Sequence, residues 1–233
     1  MREIIFDTET TGFDPKTGDR LVEIGCIELV DRRETGRTFH AYFNPERDMP
    51  AAAEAVHGLS IQFLADKPLF VTRVDDLMEF LGDAPLVAHN AAFDFGFVNA
   101  ELARAGRPAL DMARMCCTVQ MARKLHPGAK HSLDALCTRY GIDRSHRVKH
   151  GALLDAELLA HLYIEMTGGR QIGLGLASSI AGATASTAAA PATQRGGDRP
   201  FREPRPHMAS AADLARHAEF VAGLNQPLWL DTV

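Results

Sequence analysis

Phe6–Gly12 reads FDTETTG, an acid pair set directly on the end of an apolar run, Ile4-Ile5-Phe6. By pattern the run is a short buried strand, Glu3–Asp7, and residues two apart on a strand point to one face, so Asp7 and Glu9 stand side by side. Two carboxylates that close repel each other and lose hydration. The arrangement persists where a cation neutralises them or a proton is shared. An isolated D-x-E is more often a solvated strand end, so the weight of the pair depends on whether other acids sit in equally costly places.

Two do. Asp94 lies in HNAAFDFGF (His89–Phe97), flanked by Phe93 and Phe95, at the start of a helix that follows the apolar strand Pro85–Ala88. Attraction to the helix N-terminus is the alternative reason for an acid there. Asp155 closes HGALLD (His150–Asp155) and shares the core stripe of a helix over Gly151–Met166 with Leu158, Leu159 and Leu162. A carboxylate on that stripe is costly unless it binds a metal or pairs with an Arg or Lys. Five helical residues turn through roughly 500°, so His150 and Asp155 converge if His150 stands in the loop entering the helix and Asp155 on its second turn.

Asp7, Glu9, Asp94 and Asp155 thus form a set of hard oxygen ligands suited to Mg²⁺ or Mn²⁺ rather than zinc. Two such ions, about 3.5–4 Å apart, serve in-line attack on a phosphate, and His150 is placed to take the proton of the attacking water. The four cysteines, Cys26, Cys116, Cys117 and Cys137, contain no C-x-x-C pair, which argues against a zinc site or a disulfide framework. The formal charge of −5 argues against a free-standing duplex binder that works by neutralising phosphates, but is compatible with acids gathered around cations.

A length of 233 residues, 46% of them hydrophobic, accommodates one domain and a tail. No apolar run approaches the roughly 20 residues that cross a bilayer, and the first residues lack a secretory apolar segment, so a bacterial-type cytoplasm is expected. Leu21–Val30 and Thr38–Phe43 read as further strands, and Gly12–Gly18 as the loop between the first two. Phe70–Leu81 carries Phe70, Val74, Leu77 and Leu81 at helical spacing. Asn90 is expected to cap a helix ahead of Phe93–Ala105. Ser132 should cap one reaching Tyr140, and Gly168-Gly169 should stop the last. Strands followed by helices, with one strand among them, predict an α/β domain over residues 1–170, its mixed sheet flanked by helices. Residues 177–208, first Ala/Ser/Thr-rich and then Arg/Pro/Gly-rich, read as a flexible linker. In residues 209–233 Ser210 caps an amphipathic stripe, Leu214, Val221 and Leu224, with Trp229 beyond it. Such a segment behind a linker wants a partner.

FDTETTG, HNAAFDFGF and HGALLD, in this order, resemble the three motifs of the DEDDh 3′→5′ exonucleases. Val56–Gly58 (VHG), His131–Asp143 and His150–Gly169 are similar to the proofreading branch of that family, which serves bacterial DNA polymerase III. The resemblance covers roughly residues 1–170 densely and the tail more loosely. It implies a ribonuclease H-like fold, with Asp7, Glu9, Asp94 and Asp155 holding two Mg²⁺ or Mn²⁺ ions and His150 as general base. Thr8, Thr10 and Gly12, with Asp7, Glu9 and Asp155, would line the terminal nucleotide, and His57 would lie beside it. One departure is Ala52, where the family commonly has a glutamate; Glu54 follows two residues later. Gln171–Leu176 (QIGLGL) is similar to peptides that dock on the β sliding clamp, with Gln171, Leu174 and Leu176 as anchors. The tail resembles a segment that binds the polymerase α subunit, through Leu214, Val221, Leu224 and Trp229. The expectation is a monomeric subunit of a hetero-complex that removes mispaired 3′-terminal nucleotides from DNA as deoxynucleoside 5′-monophosphates. An RNA-trimming exonuclease with the same site, and a non-catalytic subunit bridging clamp and polymerase, are the alternatives.

Overall fold

Strands β1 (Arg2–Thr10), β2 (Leu21–Val30), β3 (Arg33–Tyr42), β4 (Leu86–Ala88) and β5 (Met115–Cys117) form one sheet in a computed structural model that describes residues 1–147, 149–168 and 209–224. Their order is β3-β2-β1-β4-β5. The β1–β2 and β2–β3 pairs are antiparallel, while β1–β4 and β4–β5 are parallel. The mixed sheet expected from the sequence is present, and β1 lies where its two halves meet.

Differences from the sequence reading have local causes. β1 continues past Asp7 to Thr10 because its ladder with β2 carries on through Glu9. β3 begins at Arg33 rather than Thr38. Its first half is an exposed edge that needs no apolar alternation, and Asp31 and Arg32, both at positive φ, turn the chain tightly from β2 into it. β5 spans only three residues, too few to show a period.

Among the described residues, seven α-helices accompany the sheet: α1 (Ala51–His57), α2 (Ile61–Ala65), α3 (Phe70–Leu81), α4 (Ala92–Arg104), α5 (Thr118–Leu125), α6 (Leu133–Tyr140) and α7 (Ala152–Met166). The alternation of β1 sorts them into two layers. Ile4 and Phe6 share a core with Phe70, Val74 and Leu77 of α3 and Phe95, Val98 and Leu102 of α4. Ile5 joins Leu136 of α6 and Leu158, Leu159 and Leu162 of α7 on the other face. Each fully buried side chain of this size contributes about 1.5–3 kcal/mol.

Gly25 on β2 sets how closely α7 approaches. It pairs with Asp7 across the ladder, and a Cβ there would overlap the backbone of Ala152 and Leu153. The first turn of α7 therefore rests on the sheet beside the acids of β1. Two expectations about helix starts need correction. Asn90 is not the N-cap of α4; it adopts a left-handed conformation at φ 66, the cap is Ala91, and no side chain bonds there. Asp155 lies in the first turn of α7, not the second, because the helix starts only at Ala152. Ser132 caps α6 as expected, accepting from the Ala135 N–H.

Residues 209–224 belong to a separate unit. It contains α8 (Ala211–Ala222), where the Ser210 side chain accepts from the Asp213 N–H. Leu214 and Leu224 are exposed and Val221 is buried. Trp229, the peptide Gln171–Leu176 and the linker 177–208 lie outside the described residues. Among the described residues, no helix is long and apolar enough to cross a membrane. All four cysteines are free.

Candidate active site

The site forms at the carboxyl ends of β1 and β4, the edge of a partly parallel sheet where open α/β folds place their ligands. Asp7 and Glu9 share the parity of Ile5, so they face the layer of α7 and meet Asp155 in its first turn. Thr8 has the parity of Phe6 and faces α4, where its Oγ1 donates to Asp94 Oδ1 at 2.7 Å. His150 stands in the loop before α7, as the sequence requires. Its backbone N–H is held by the Val56 carbonyl of α1, which ties that loop to the far wall.

Asp7, Glu9, Asp94, His150 and Asp155 all line one cavity of about 280 Å³. Asp94 is 2% exposed and Asp155 3%. Glu9, His150 and Asp155 offer ligand atoms that all lie within 4.8 Å of one another. Burial raises the Asp7 pKa well above its ordinary 3.8, with repulsion from Asp94, Asp155 and Glu9 adding to the rise. Glu9 is pushed up to about 8, by burial first and then by Asp155 and Glu23. Burial takes Asp94 to about 7 against the opposing hydrogen bond from Thr8. The residues fit a divalent cation on this ground: acids crowded until they would hold protons at neutral pH are acids that a cation would relieve.

A second cavity, about 470 Å³, adjoins the first through Thr8, Glu9 and Phe93. Thr10, Gly12, Val56 and His57 also line it, as does Phe13, which is 89% exposed. His57 is buried, and its Nδ1 accepts the Leu59 N–H at 3.0 Å, so Nε2 carries the ring proton. That Nε2 has no hydrogen-bond partner among the described residues. Desolvation lowers the His57 pKa against an opposing pull from the Thr10 backbone, which favours the neutral ring. Ala52 and Ala53 form part of the wall; Glu54 does not.

Sequence reasoning named the acids and His150 but missed Arg147, whose side chain is 9% exposed and reaches into the first cavity. Its Nε lies 2.5 Å from Asp155 Oδ1, and its Nη2 donates to Asp155 Oδ2 at 2.7 Å. The alternative weighed for Asp155, pairing with an Arg, is thus also realised. Nothing local marked Arg147, one cation in the run RSHRVKH, which reads as a solvated loop. Phe13 and Phe93 were missed because a lone aromatic in a loop or on a helix carries no directional signal.

The chain matches a family model described as Exonuclease over residues 4–163. It is 55% identical over 174 residues to DNA polymerase III subunit epsilon of Rickettsia felis, covering 73% of this chain and 76% of that protein. It is 46% identical over 176 residues to DNA polymerase III subunit epsilon of Escherichia coli, covering 72% of each. Among solved structures it is similar to Exonuclease X in complex with 5′ overhanging duplex DNA, at 28% identity and a TM-score of 0.54, over 70% of this chain and 90% of that one. It also shares the fold of the nuclease domain of 3′hExo, a DEDDh family member bound to rAMP, at 18% identity and a TM-score of 0.61, over 71% and 91% of the two chains. The chain belongs to the exonuclease family, on the branch of the DNA polymerase III epsilon subunits.

Proposed function

We propose that this chain is the proofreading 3′→5′ exonuclease of a replicative DNA polymerase III, releasing mispaired terminal nucleotides as deoxynucleoside 5′-monophosphates. The observation that carries the reading is the convergence of Asp7, Glu9, Asp94 and Asp155 on one cavity beside a second, larger one that can take a nucleoside. The terminal sugar and base enter the larger cavity past Thr10, Gly12 and the neutral His57. Exposed Phe13 offers a stacking face at its rim. The scissile phosphate then lies over the acids. Asp7, Glu9, Asp94 and Asp155 would hold two Mg²⁺ or Mn²⁺ ions, which supply Lewis-acid stabilisation of the charge on phosphate. His150, exposed at the mouth of the loop, takes the proton of the attacking water through a ring nitrogen.

A mispaired end frays and unstacks into the cavity at lower cost than a paired one, which supports selectivity without base-specific contacts. The net charge of −5 gives the chain little hold on DNA by itself, so attachment to the polymerase would supply effective concentration instead. In this reading Gln171, Leu174 and Leu176 dock on the β sliding clamp, while Leu214, Val221, Leu224 and Trp229 bind the α subunit. The capped, amphipathic α8, with Leu214 and Phe220 exposed and Leu224 exposed just past its end, supports that role for the tail.

The test is digestion of a primer with a 3′ mismatch, with and without Mg²⁺ or Mn²⁺, the product identified as the mononucleotide. Metal-dependent release that exceeds release from a matched end, and that Asp7→Ala abolishes, is expected. Equal release by Asp7→Ala in a clean preparation would remove the reading and leave a bridging subunit.

A further inference from the structure

Arg147 is bound to the two residues on which the reaction most depends. Its guanidinium donates one hydrogen bond to Asp155, Nη2 to Oδ2 at 2.7 Å. Nε sits 2.5 Å from Oδ1 as an ion pair without hydrogen-bond geometry, leaving both of those atoms unpartnered among the described residues. Nη2 also lies 2.7 Å from His150 Nδ1. A guanidinium only donates, so Nδ1 must accept, and the ring proton sits on Nε2. His150 Nδ1 is 3.2 Å from Asp155 Oδ2, but with its lone pair turned to Arg147 it does not donate to that oxygen. In this arrangement neither ring nitrogen is free to take a proton, and Asp155 is held by one hydrogen bond at Oδ2 and a close ion pair at Oδ1.

We infer that Arg147 is a positioning residue that occupies Asp155 and His150 in place of a cation, and that metal loading displaces it and frees both together. A divalent ion and the Arg147 guanidinium want the same carboxylate, whose Oδ1 is buried without a hydrogen bond, and the doubly charged competitor has the stronger claim on a crowded set of acids. Arg147 has somewhere to go. Its Nη1 already donates to Asp134 Oδ1 at 2.7 Å, and Asp134, half exposed, lines the mouth of the cavity. Release from Asp155 therefore costs a swing about an existing anchor rather than the desolvation of a stranded charge. One motion then couples two requirements: the acid becomes a ligand as the histidine becomes a base. Water would be activated only once the metal is present.

This inference rests on the metal-dependent reading above, and the experiment separates the two. Mn²⁺ affinity of the full chain is measured by calorimetry for the wild type, Arg147→Met and Asp134→Asn, with melting in EDTA and in saturating Mn²⁺ alongside. Arg147→Met should bind Mn²⁺ about tenfold more tightly, an ordinary size for coupling between two ligands of one site. It should also melt lower than wild type in EDTA, and the deficit should vanish in Mn²⁺. Asp134→Asn, which removes the anchor Arg147 retreats to, should bind Mn²⁺ more weakly. Unchanged or weaker Mn²⁺ binding by Arg147→Met overturns the inference. Should that variant not fold, Arg147→Lys, which keeps the charge but loses the Nη2 contacts to Asp155 and His150, should still bind Mn²⁺ more tightly than wild type, and equal binding overturns the inference in the same way. A wild type that binds no Mn²⁺ would instead remove the metal-dependent reading itself.

Discussion

Glu101 on α4 and Glu28 on β2 are buried as deeply as the acids of the site, yet they answer to different physics. Glu101, 2% exposed, is gripped by Arg20 Nε at 2.7 Å and Nη2 at 3.1 Å and by Arg104 at 2.9 Å. Glu28 has Arg2 at 2.6 Å, Arg37 at 3.1 Å and the Thr35 hydroxyl at 2.8 Å. At the site, four acids share Arg147, which touches Asp155 alone among them. The pKa shifts follow: the hydrogen bonds from Arg2 and Thr35 lower Glu28, whereas burial among like charges raises Glu9 to about 8. Burial of a carboxylate does not mark function. A deficit of countercharge does, because a protein that has not neutralised its own acids has left that to a ligand.

The sharpest way to break this contrast is to remove one acid from each region. Asp7→Asn should cut exonuclease turnover by about 10³-fold or more while leaving the chelated protein's melting temperature equal or higher, since one repulsive charge is gone. A lower melting temperature would class Asp7 with Glu101. His150→Ala should slow turnover by about 10²–10⁴-fold with a much smaller loss of Mn²⁺ affinity; equal losses in both would make His150 a ligand rather than a base. Glu101→Ala should do the reverse of Asp7→Asn. Stranding Arg20 and Arg104 should cost about 3–5 kcal/mol in urea unfolding, with turnover of the folded fraction unchanged.

Two smaller effects sharpen the comparison. Gly25→Ala should cost about 1–3 kcal/mol by forcing α7 off the sheet, and it should lower Mn²⁺ affinity as well, since Asp155 moves with that turn. Loss of stability without loss of affinity would mean the site tolerates the displacement. The pH dependence has opposite signs in the two regions. Glu9 and Asp94 are raised from ordinary values of 4.5 and 3.8 to about 8 and about 7, so their contribution is present in full below those ordinary values and fades as pH rises through 7 and 8. Glu28 is lowered, so its contribution is present above 4.5 and is lost as pH falls. Denaturation of the chelated chain should therefore show stability declining between pH 5 and 8, and saturating Mg²⁺ should flatten that decline. A flat profile in EDTA would show that the acids are already neutralised from within.

Much of the site was legible because its signals are local. Asp7 and Glu9 stand out on strand parity, Asp94 on its apolar neighbours, and Asp155 on its place in a leucine stripe. His150 required only that a loop precede a helix. The turn of Asp155 was misread because the helix begins at Ala152, a boundary set by the close approach of α7 to Gly25 and not by any capping side chain. Asn90 looked like a cap for the converse reason. Its side-chain type fits the role, but the backbone turns left-handed there to bring α4 in at the end of β4. β5 was hidden because three residues cannot display alternation.

The sequence alone determined that four acids would occupy costly positions and that a β-rich first half would carry helices on both faces, since periodicity and burial cost are properties of neighbours along the chain. Tertiary structure alone decided that those acids meet at one sheet edge, that a second cavity adjoins them, and that Arg147 turns inward to hold Asp155 and His150. Those outcomes depend on how elements distant in sequence pack against each other. The energy of a charge depends on what stands a few ångströms away in space, which its neighbours in the chain do not specify.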